Sequence, residues 1–243
     1  MNFKDYAHNI QFRFVQPDTR LFSFGFDRIS QRLKVGVWFE MLNTILPENE
    51  SAMKNRLRDM CFVPRMSTYA IGAMINKAVR EMPASHVFVN VGVWRGFTLL
   101  SGMAGNASKT CIGVDNFSEF GGPRTDFLEQ FEKYRGPRHH FYEMDYVDYF
   151  TRIHDSPIGV FIYDGNHSYK NQLRALELAE PYFSDDCIIL IDDVNYAHVR
   201  RANRDFMAKS PRQYRTVLHQ ETYCNSHPTF WNGITIIQRV GCP

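Results

Sequence analysis

Short apolar runs that end in an acidic residue recur through the second half of the chain and constrain its fold more than any other feature. The four runs that end in an acid are TCIGVD (110–115), HHFYEMD (139–145), IGVFIYD (158–164) and CIILIDD (187–193). A similar run without an acid, HVFVNVG (86–92), precedes them. Segments with helical spacing of apolar residues lie between these runs, and the clearest is YKNQLRALELAEPYF (169–183). This alternation predicts βαβ units and a parallel sheet that is covered on both faces.

The two ends of the chain follow other patterns. YRTVLHQ (214–220) and FWNGITIIQRV (230–240) are strand-like segments joined by turn material, which predicts an antiparallel hairpin. Ahead of residue 84 the chain shows helical spacing over 28–46 and 67–82 and no clear strand alternation. We therefore predict a mainly helical N-terminal segment over 1–83, serving as a cap or oligomer contact, and an α/β domain over 84–243.

The first 27 residues are rich in aromatic side chains. They are Phe3, Tyr6, Phe12, Phe14, Phe22, Phe24 and Phe26. Such an arm packs on the core, or it covers an active site or joins two copies of the chain, and the sequence leaves these alternatives open. A homo-oligomer is therefore an expectation of the sequence.

Composition excludes several classes of protein. The formal net charge is only +2 and no Lys/Arg block occurs, so neither nucleic acid nor an anionic membrane is an expected partner. No run approaches the roughly 20 apolar residues of a membrane span, and the first residues lack the apolar stretch of a signal peptide. Five cysteines without a CxxC pair indicate a reduced protein. We expect a soluble, cytoplasmic protein that acts on a small molecule.

The loop after the first strand, VNVGVWRG (89–96), predicts a nucleotide-like ligand. Gly92 permits a sharp turn and a close ligand approach, but Trp94 and Arg95 would obstruct the pyrophosphate of a dinucleotide. Asp115 ends the next strand, where an acid accepts hydrogen bonds from ribose hydroxyls. A nucleoside without pyrophosphate, such as S-adenosylmethionine, fits this pattern, whereas an NAD-dependent oxidoreductase is disfavoured. Asp145 ends the third strand and either contacts the adenine amine or caps the following helix.

Five stretches together resemble a known family. VFVNVGVWRG, CIGVDNF, YEMDY, FIYDGNHSY and LIDDVNY, in this order, resemble class I S-adenosylmethionine-dependent methyltransferases, most closely the metal-dependent macrocin and mycinamicin sugar O-methyltransferases. The resemblance spans about residues 67–240. It implies a Rossmann-like seven-stranded sheet of order 3-2-1-4-5-7-6 with the last strand antiparallel, and methyl transfer to a hydroxyl, usually with magnesium. Many relatives carry an acid where this chain has Asn90, whose amide can still form hydrogen bonds. The predicted cofactor-binding residues are Asn90, Gly92, Trp94, Gly96, Asp115, Asp145 and Asp164.

The resemblance also implies a metal site and a base. Asp164 and Asp192–Asp193 end strands that are neighbours in such a sheet, and clustered carboxylates repel unless a cation neutralises them. Oxygen ligands favour magnesium, calcium or manganese. Asp192 and Asp193 can both ligate only if the strand ends there, because successive strand residues face opposite sides; otherwise one of them is a cap or surface residue. His167 matches the histidine that takes the substrate proton, a role that suits imidazole near neutral pH.

Three functions remain open on the sequence. The first is a magnesium-dependent O-methyltransferase acting on a hydroxyl of a sugar or glycosylated natural product. The second is a metal-independent methyltransferase, and the third is a methyltransferase-fold binding protein without turnover. Acids at the strand ends together with His167 argue against the third.

Overall fold

The structure is a computed structural model that describes residues 1–20, 35–119 and 121–241. Its N-terminal part contains α1 (Phe3–His8), β1 (Gln11–Phe12), α2 (Val35–Asn43), β2 (Thr44–Ile45), α3 (Glu50–Cys61) and α4 (Tyr69–Glu81). The helix predicted over 67–82 is confirmed. The one predicted over 28–46 is confirmed over Val35–Asn43 but not beyond, because Thr44–Ile45 form strand β2. The start of that prediction, 28–34, lies outside the described residues, as do Phe22, Phe24 and Phe26.

The strands β1 and β2 pair antiparallel and were not predicted. With two residues each they are too short to show alternation. Phe3, Tyr6 and Phe12 of the aromatic arm are buried, whereas Phe14 is exposed. The described part of the arm therefore packs mainly on the core.

Seven strands form one sheet. They are β3 (Val87–Val91), β4 (Thr110–Asp115), β5 (His139–Glu143), β6 (Ile158–Tyr163), β7 (Phe183–Asp192), β8 (Gln213–Gln220) and β9 (Ile234–Val240). Their order is β5-β4-β3-β6-β7-β9-β8, and β9 runs antiparallel to both of its neighbours. Numbered from the first strand of this sheet, the order is the predicted 3-2-1-4-5-7-6, with the last strand antiparallel as predicted.

Helices cover both faces of this sheet. The remaining helices are α5 (Phe97–Met103), α6 (Arg124–Tyr134), α7 (Tyr146–Arg152), α8 (Tyr169–Ala179) and α9 (Ala197–Lys209). Alternate residues of β6 belong to two separate hydrophobic clusters, one shared with α4, α5 and α6 and the other with α7, α8 and α9. Double coverage explains why the inner strands read as continuous apolar runs. Because α4 shares a cluster with the sheet, the domain boundary near residue 84 stays a prediction. None of the described helices is long and apolar enough to cross a membrane.

One helix is shorter than its sequence pattern predicts. The apolar spacing extends through residue 183, but α8 ends at Ala179 and a short 3-10 turn covers Glu180–Tyr182. Pro181 lacks the backbone N–H that an α-helix interior requires, and its ring clashes with the preceding turn. Strand β7 consequently begins at Phe183, earlier than the predicted residue 187.

Candidate active site

The carboxyl ends of β3 to β7 surround a cavity of about 490 Å³. Eight of the ten predicted site residues line it, namely Gly92, Trp94, Asp115, Asp145, Asp164, His167, Asp192 and Asp193. Parallel strands bring their carboxyl ends to one edge of a sheet, and a ligand site there is typical of open α/β folds. The structure thus brings the cofactor candidates and the metal candidates into one cavity.

The other two predicted residues, Asn90 and Gly96, do not line the cavity. Asn90 is fully buried in β3, and its Nδ2 donates a hydrogen bond to the Gly92 carbonyl oxygen at 3.0 Å. Gly96 precedes α5 with φ +100°, and a Cβ there would lie 3.1 Å from the Phe127 ring. Both residues shape the loop between β3 and α5, and their predicted cofactor contact remains a prediction.

Gly92 is required by a close backbone approach. Its φ is +79°, and a Cβ at this position would lie 2.2 Å from the Asp164 carbonyl oxygen. The Asp164 N–H in turn donates to the Val91 carbonyl oxygen at 2.8 Å. The glycine therefore lets the β3 loop pack directly on the segment that carries the metal and base candidates.

We expect Gly92→Ala to lower the free energy of unfolding by at least about 3 kcal/mol, because it combines backbone strain with a steric clash. Gly121→Ala is the matched control, since Gly121 has φ +77° with no described atom within 4 Å of its added Cβ. Strain alone should cost that variant about 1 kcal/mol. Equilibrium urea unfolding measures both losses, and equal losses would contradict the close-approach explanation.

Asp115 holds the same loop from the other side. Its Oδ2 accepts hydrogen bonds from the backbone N–H groups of Val93 at 2.8 Å and Trp94 at 3.0 Å, and its Oδ1 accepts from Phe117 at 2.8 Å. Trp94 has φ +46°, an unfavourable conformation for a residue other than glycine. A carboxylate offers about four acceptor positions, so roughly one remains on Asp115 for the predicted ribose hydroxyl.

Asp145 caps a helix. It precedes α7, and its Oδ1 accepts a hydrogen bond from the Val147 N–H at 2.8 Å. The capping interpretation of this residue is therefore confirmed. Asp145 also lines the cavity, so the adenine contact remains a prediction alongside the cap.

Three carboxylates surround one imidazole at the ends of β6 and β7. The Nε2 of His167 lies 3.6 Å from an oxygen of Asp164, 3.6 Å from Oδ1 of Asp192 and 3.9 Å from Oδ2 of Asp193. Asp164, His167 and Asp192 each offer a ligand atom within 4.8 Å of the others. Asp193 is outside this tighter group but faces the same nitrogen.

A turn at the end of β7 lets both aspartates face inward. Strand β7 ends at Asp192, and Asp193 has φ +57°. The strand thus does not continue through both residues, and this is the condition under which Asp192 and Asp193 can both be metal ligands. The Nδ2 of Asn232 donates to Oδ1 of Asp193 at 2.7 Å and leaves Oδ2 toward the centre.

The electrostatics of this group are unfavourable without a cation. Burial, together with the charge of Asp164, raises the pKa of Asp192 well above its usual range. Burial also raises the pKa of Asp164, and burial and the charge of Asp192 raise that of Asp193 to about 6. Burial lowers the pKa of His167, but the surrounding carboxylates, Asp192 foremost, outweigh it and raise the value to about 10. The cluster as a whole favours binding a positive charge.

A family comparison bears on this region. Residues 89–194 match a family model described as a methyltransferase domain. The matched segment begins within β3 and ends just after β7, so it includes the glycine loop, Asp115 and the whole carboxylate–imidazole cluster. No curated protein sequence matches the chain.

Solved structures share the fold of this chain. An O-methyltransferase from Bacillus cereus in complex with S-adenosylhomocysteine has a TM-score of 0.56 at 13% identity, over 80% of this chain and 93% of its own. TomG, an O-methyltransferase from Streptomyces achromogenes bound to S-adenosylmethionine, has 0.53 at 12%, over 86% and 96%. CalS11, a TDP-rhamnose 3′-O-methyltransferase, has 0.54 at 17%, over 93% and 98%. These likenesses establish the fold. They do not establish membership of the macrocin-type family that the sequence resembles.

The donor set of the carboxylate–imidazole cluster fits a hard divalent cation. Oδ1 of Asp192 is buried and has no hydrogen-bond partner among the described residues. An uncompensated buried carboxylate oxygen costs free energy unless a donor or a cation satisfies it. Carboxylate oxygens from Asp164, Asp192 and Asp193 are the ligands that magnesium, calcium and manganese prefer.

The sequence underestimated the aromatic residues at the cavity. Trp231, which lies in the segment 230–240 of the predicted hairpin, lines the cavity, with φ +52° and backbone hydrogen bonds to His227 at 2.9 and 3.0 Å. Tyr196 lines the cavity as well and is 37% exposed. For Tyr196 the sequence did contain a signal, because it lies three residues after the metal candidate Asp193. Trp231 is next to Asn232, whose amide binds Asp193.

Proposed function

We propose that the chain is an S-adenosylmethionine-dependent, divalent-metal-dependent O-methyltransferase that methylates a hydroxyl of a sugar or glycosylated natural product. One observation carries the proposal. The ligand atoms of Asp164, His167 and Asp192 lie within 4.8 Å of one another, in the cavity that the glycine loop and Asp115 also line. A methyl donor and an activated hydroxyl can therefore meet in one place.

The residues divide the work. Asp164, Asp192 and Asp193 hold the cation, which when bound polarises the acceptor hydroxyl and lowers its pKa. Nε2 of His167 accepts the hydroxyl proton, for which the imidazole must be neutral. The carboxylates raise the pKa of His167 to about 10, so the base works only when their charge is compensated. Asp115 and Gly92 fix the loop beside the donor, and orientation within the enclosed cavity supplies much of the rate.

The aromatic residues support a ring-shaped acceptor. Trp231 and Tyr196 lie in the cavity with the metal candidates, and an aromatic face packs well against the apolar face of a sugar ring. CalS11, which shares the fold, is a sugar O-methyltransferase. The proposal therefore includes a small hydroxylated acceptor and neither nucleic acid nor membrane, in keeping with the net charge of +2.

Metal removal separates the competing functions. We expect S-adenosylmethionine to bind in calorimetry with or without EDTA, because Asp115 and the glycine loop lie apart from the carboxylate cluster in sequence and form their own hydrogen bonds. Methyl transfer from labelled S-adenosylmethionine to a panel of glycosides should vanish in EDTA and return with excess Mg²⁺. Activity that survives EDTA would favour the metal-independent methyltransferase. Absence of S-adenosylmethionine binding would contradict the proposal as a whole.

A further inference from the structure

Two amide side chains occupy positions where their helices are otherwise apolar. The buried residues of α8 are Gln172, Ala175, Leu176 and Ala179. Those of α9 are Val199, Ala202, Asn203 and Phe206. Gln172 and Asn203 thus lie on the apolar stripes by which the two helices pack. Burying an amide costs free energy unless it forms hydrogen bonds, so this pair calls for a physical reason.

The two amides form a chain that ends on the imidazole of His167. Oε1 of Gln172 lies 3.2 Å from Nδ1 of His167, and Nε2 of Gln172 donates to Oδ1 of Asn203 at 3.3 Å. Gln172 is fully buried. Nδ2 of Asn203 is buried and has no hydrogen-bond partner in the described part of the chain. The contact therefore runs from α9 through α8 to the side of the ring that faces away from the acids.

This contact determines which ring nitrogen is basic. An amide oxygen only accepts hydrogen bonds, so Nδ1 of His167 must carry the hydrogen, and in a neutral ring the lone pair is on Nε2. Nε2 is the nitrogen that faces Asp164, Asp192 and Asp193. We propose that Gln172 is a positioning residue, held by Asn203, that orients the His167 ring and keeps Nε2 as its proton-accepting atom. The expected effect on kcat rests on the proposed function, whereas the orientation of the His167 ring does not.

Helix packing alone does not require this amide. The hydroxyl of Tyr169 on α8 donates to Asp205 of α9 at 2.6 Å, and the Arg201 guanidinium lies 5.2 Å from the Tyr169 ring centroid. These contacts join the same two helices without contacting His167. Tyr169→Phe is therefore a matched control, because it removes one interhelical hydrogen bond and leaves the ring untouched.

The first test is spectroscopic and needs no methyl transfer. Histidine labelled with ¹⁵N allows long-range proton–nitrogen spectra, recorded in saturating Mg²⁺ so that the ring is neutral, to show which nitrogen of His167 carries a slowly exchanging hydrogen. We expect a protected Nδ1–H signal that persists in Tyr169→Phe and is lost in Gln172→Met. An Nδ1 without a hydrogen in the wild type would mean that the Gln172 amide presents its NH₂ group, and not its oxygen, to His167. That result would overturn the proposal.

The second test is kinetic. We expect Gln172→Met to lower kcat roughly 10- to 100-fold with little change in the KM of the acceptor, as for other residues that orient a functional side chain. Gln172→Glu should retain kcat within a few-fold, because a carboxylate still accepts the Nδ1 hydrogen and the free Nδ2 of Asn203 can turn to donate to it. Tyr169→Phe should keep the wild-type kcat.

The outcomes of these tests distinguish failure of the positioning role of Gln172 from failure of the proposed function. A wild-type kcat in Gln172→Met, or an equal loss in Tyr169→Phe, would reduce Gln172 to a packing residue. Should Gln172→Met fail to fold, the wild-type spectrum and the kcat of Gln172→Glu still decide the question. If the wild-type chain transfers no methyl group at all, the proposed function fails, while the Nδ1–H signal still reports whether Gln172 orients His167.

Discussion

Asp192→Asn is expected to lower methyl transfer at least about 1,000-fold, equivalent to about 4 kcal/mol of transition-state stabilisation, while S-adenosylmethionine still binds. The substitution keeps the shape of the side chain and removes the charge. Oδ1 of Asp192 is buried with no hydrogen-bond partner in the described residues, and its nearest positive group is the His167 imidazole at 3.6 Å, so this oxygen is available to a cation. Steady-state kinetics in saturating Mg²⁺ and calorimetry with S-adenosylmethionine measure the two properties separately.

The same variant should stabilise the chain when metal is absent. Burial and Asp164 raise the pKa of Asp192 well above its usual range, which means that the charged form destabilises the folded state at neutral pH. A neutral amide removes that cost, so we expect a higher Tm in EDTA than for the wild type. A gain in Tm with a loss of turnover distinguishes a metal ligand from a structural residue.

Asp185→Asn supplies the matched control. Asp185 belongs to the same strand, β7, but its side chain is 65% exposed and pairs with Arg239 at 3.0 Å. The identical chemical change there should leave kcat unaltered, since an exposed pair contributes little. Full turnover by Asp192→Asn would remove this residue from the metal site.

Much of the fold could be predicted because its inner strands are covered on both sides. Residues such as Val160 and Phe161 face different clusters yet are equally buried, so the strand reads as an uninterrupted apolar run that stops where the sheet ends. Asp164 and Asp192 follow such runs on neighbouring strands. Their convergence follows from parallel strands, and the sequence predicted it.

The details that complete the site depend on backbone conformations that a sequence pattern does not specify. Trp94 and Asp193 both adopt positive φ. An aspartate adopts this conformation more readily than a tryptophan does, but neither residue type specifies it. The three backbone N–H groups bound by Asp115 come from that irregular loop and from the turn after β4. Sequence reasoning could place Asp115 at the strand end but could not show that it holds the loop.

The sequence contains a signal that Gln172 has a special role. The helical spacing of 169–183 identifies an apolar stripe, and a glutamine on that stripe is an inconsistency between local pattern and residue type. Such inconsistencies tend to occur at functional positions. A polar residue within an apolar stripe, five residues after a candidate base, is therefore a useful sequence indicator of a positioning residue.

His167→Ala is expected to lower kcat roughly 100- to 10,000-fold, the usual contribution of a general base, with S-adenosylmethionine binding intact. Metal affinity then separates two roles, because His167 belongs to the group of three ligand atoms within 4.8 Å. A base leaves the Kd of Mg²⁺ unchanged, whereas a ligand loses metal binding and turnover together. His140→Ala, at an exposed position in β5, should change neither value.

The stability of His167→Ala should change in the direction opposite to that of Asp192→Asn. The carboxylates hold the pKa of His167 at about 10, above the roughly 6.5 of an unfolded chain, so its positive charge stabilises the fold fully below about pH 6.5 and progressively less as pH rises toward 10. Removing the imidazole leaves the acids uncompensated, and we expect a lower Tm in EDTA at pH 7, with recovery on adding Mg²⁺. The same Tm in both conditions would contradict a shared electrostatic role for imidazole and cation. Opposite shifts in the two variants would show that one buried negative charge underlies both metal binding and the protonation of the base.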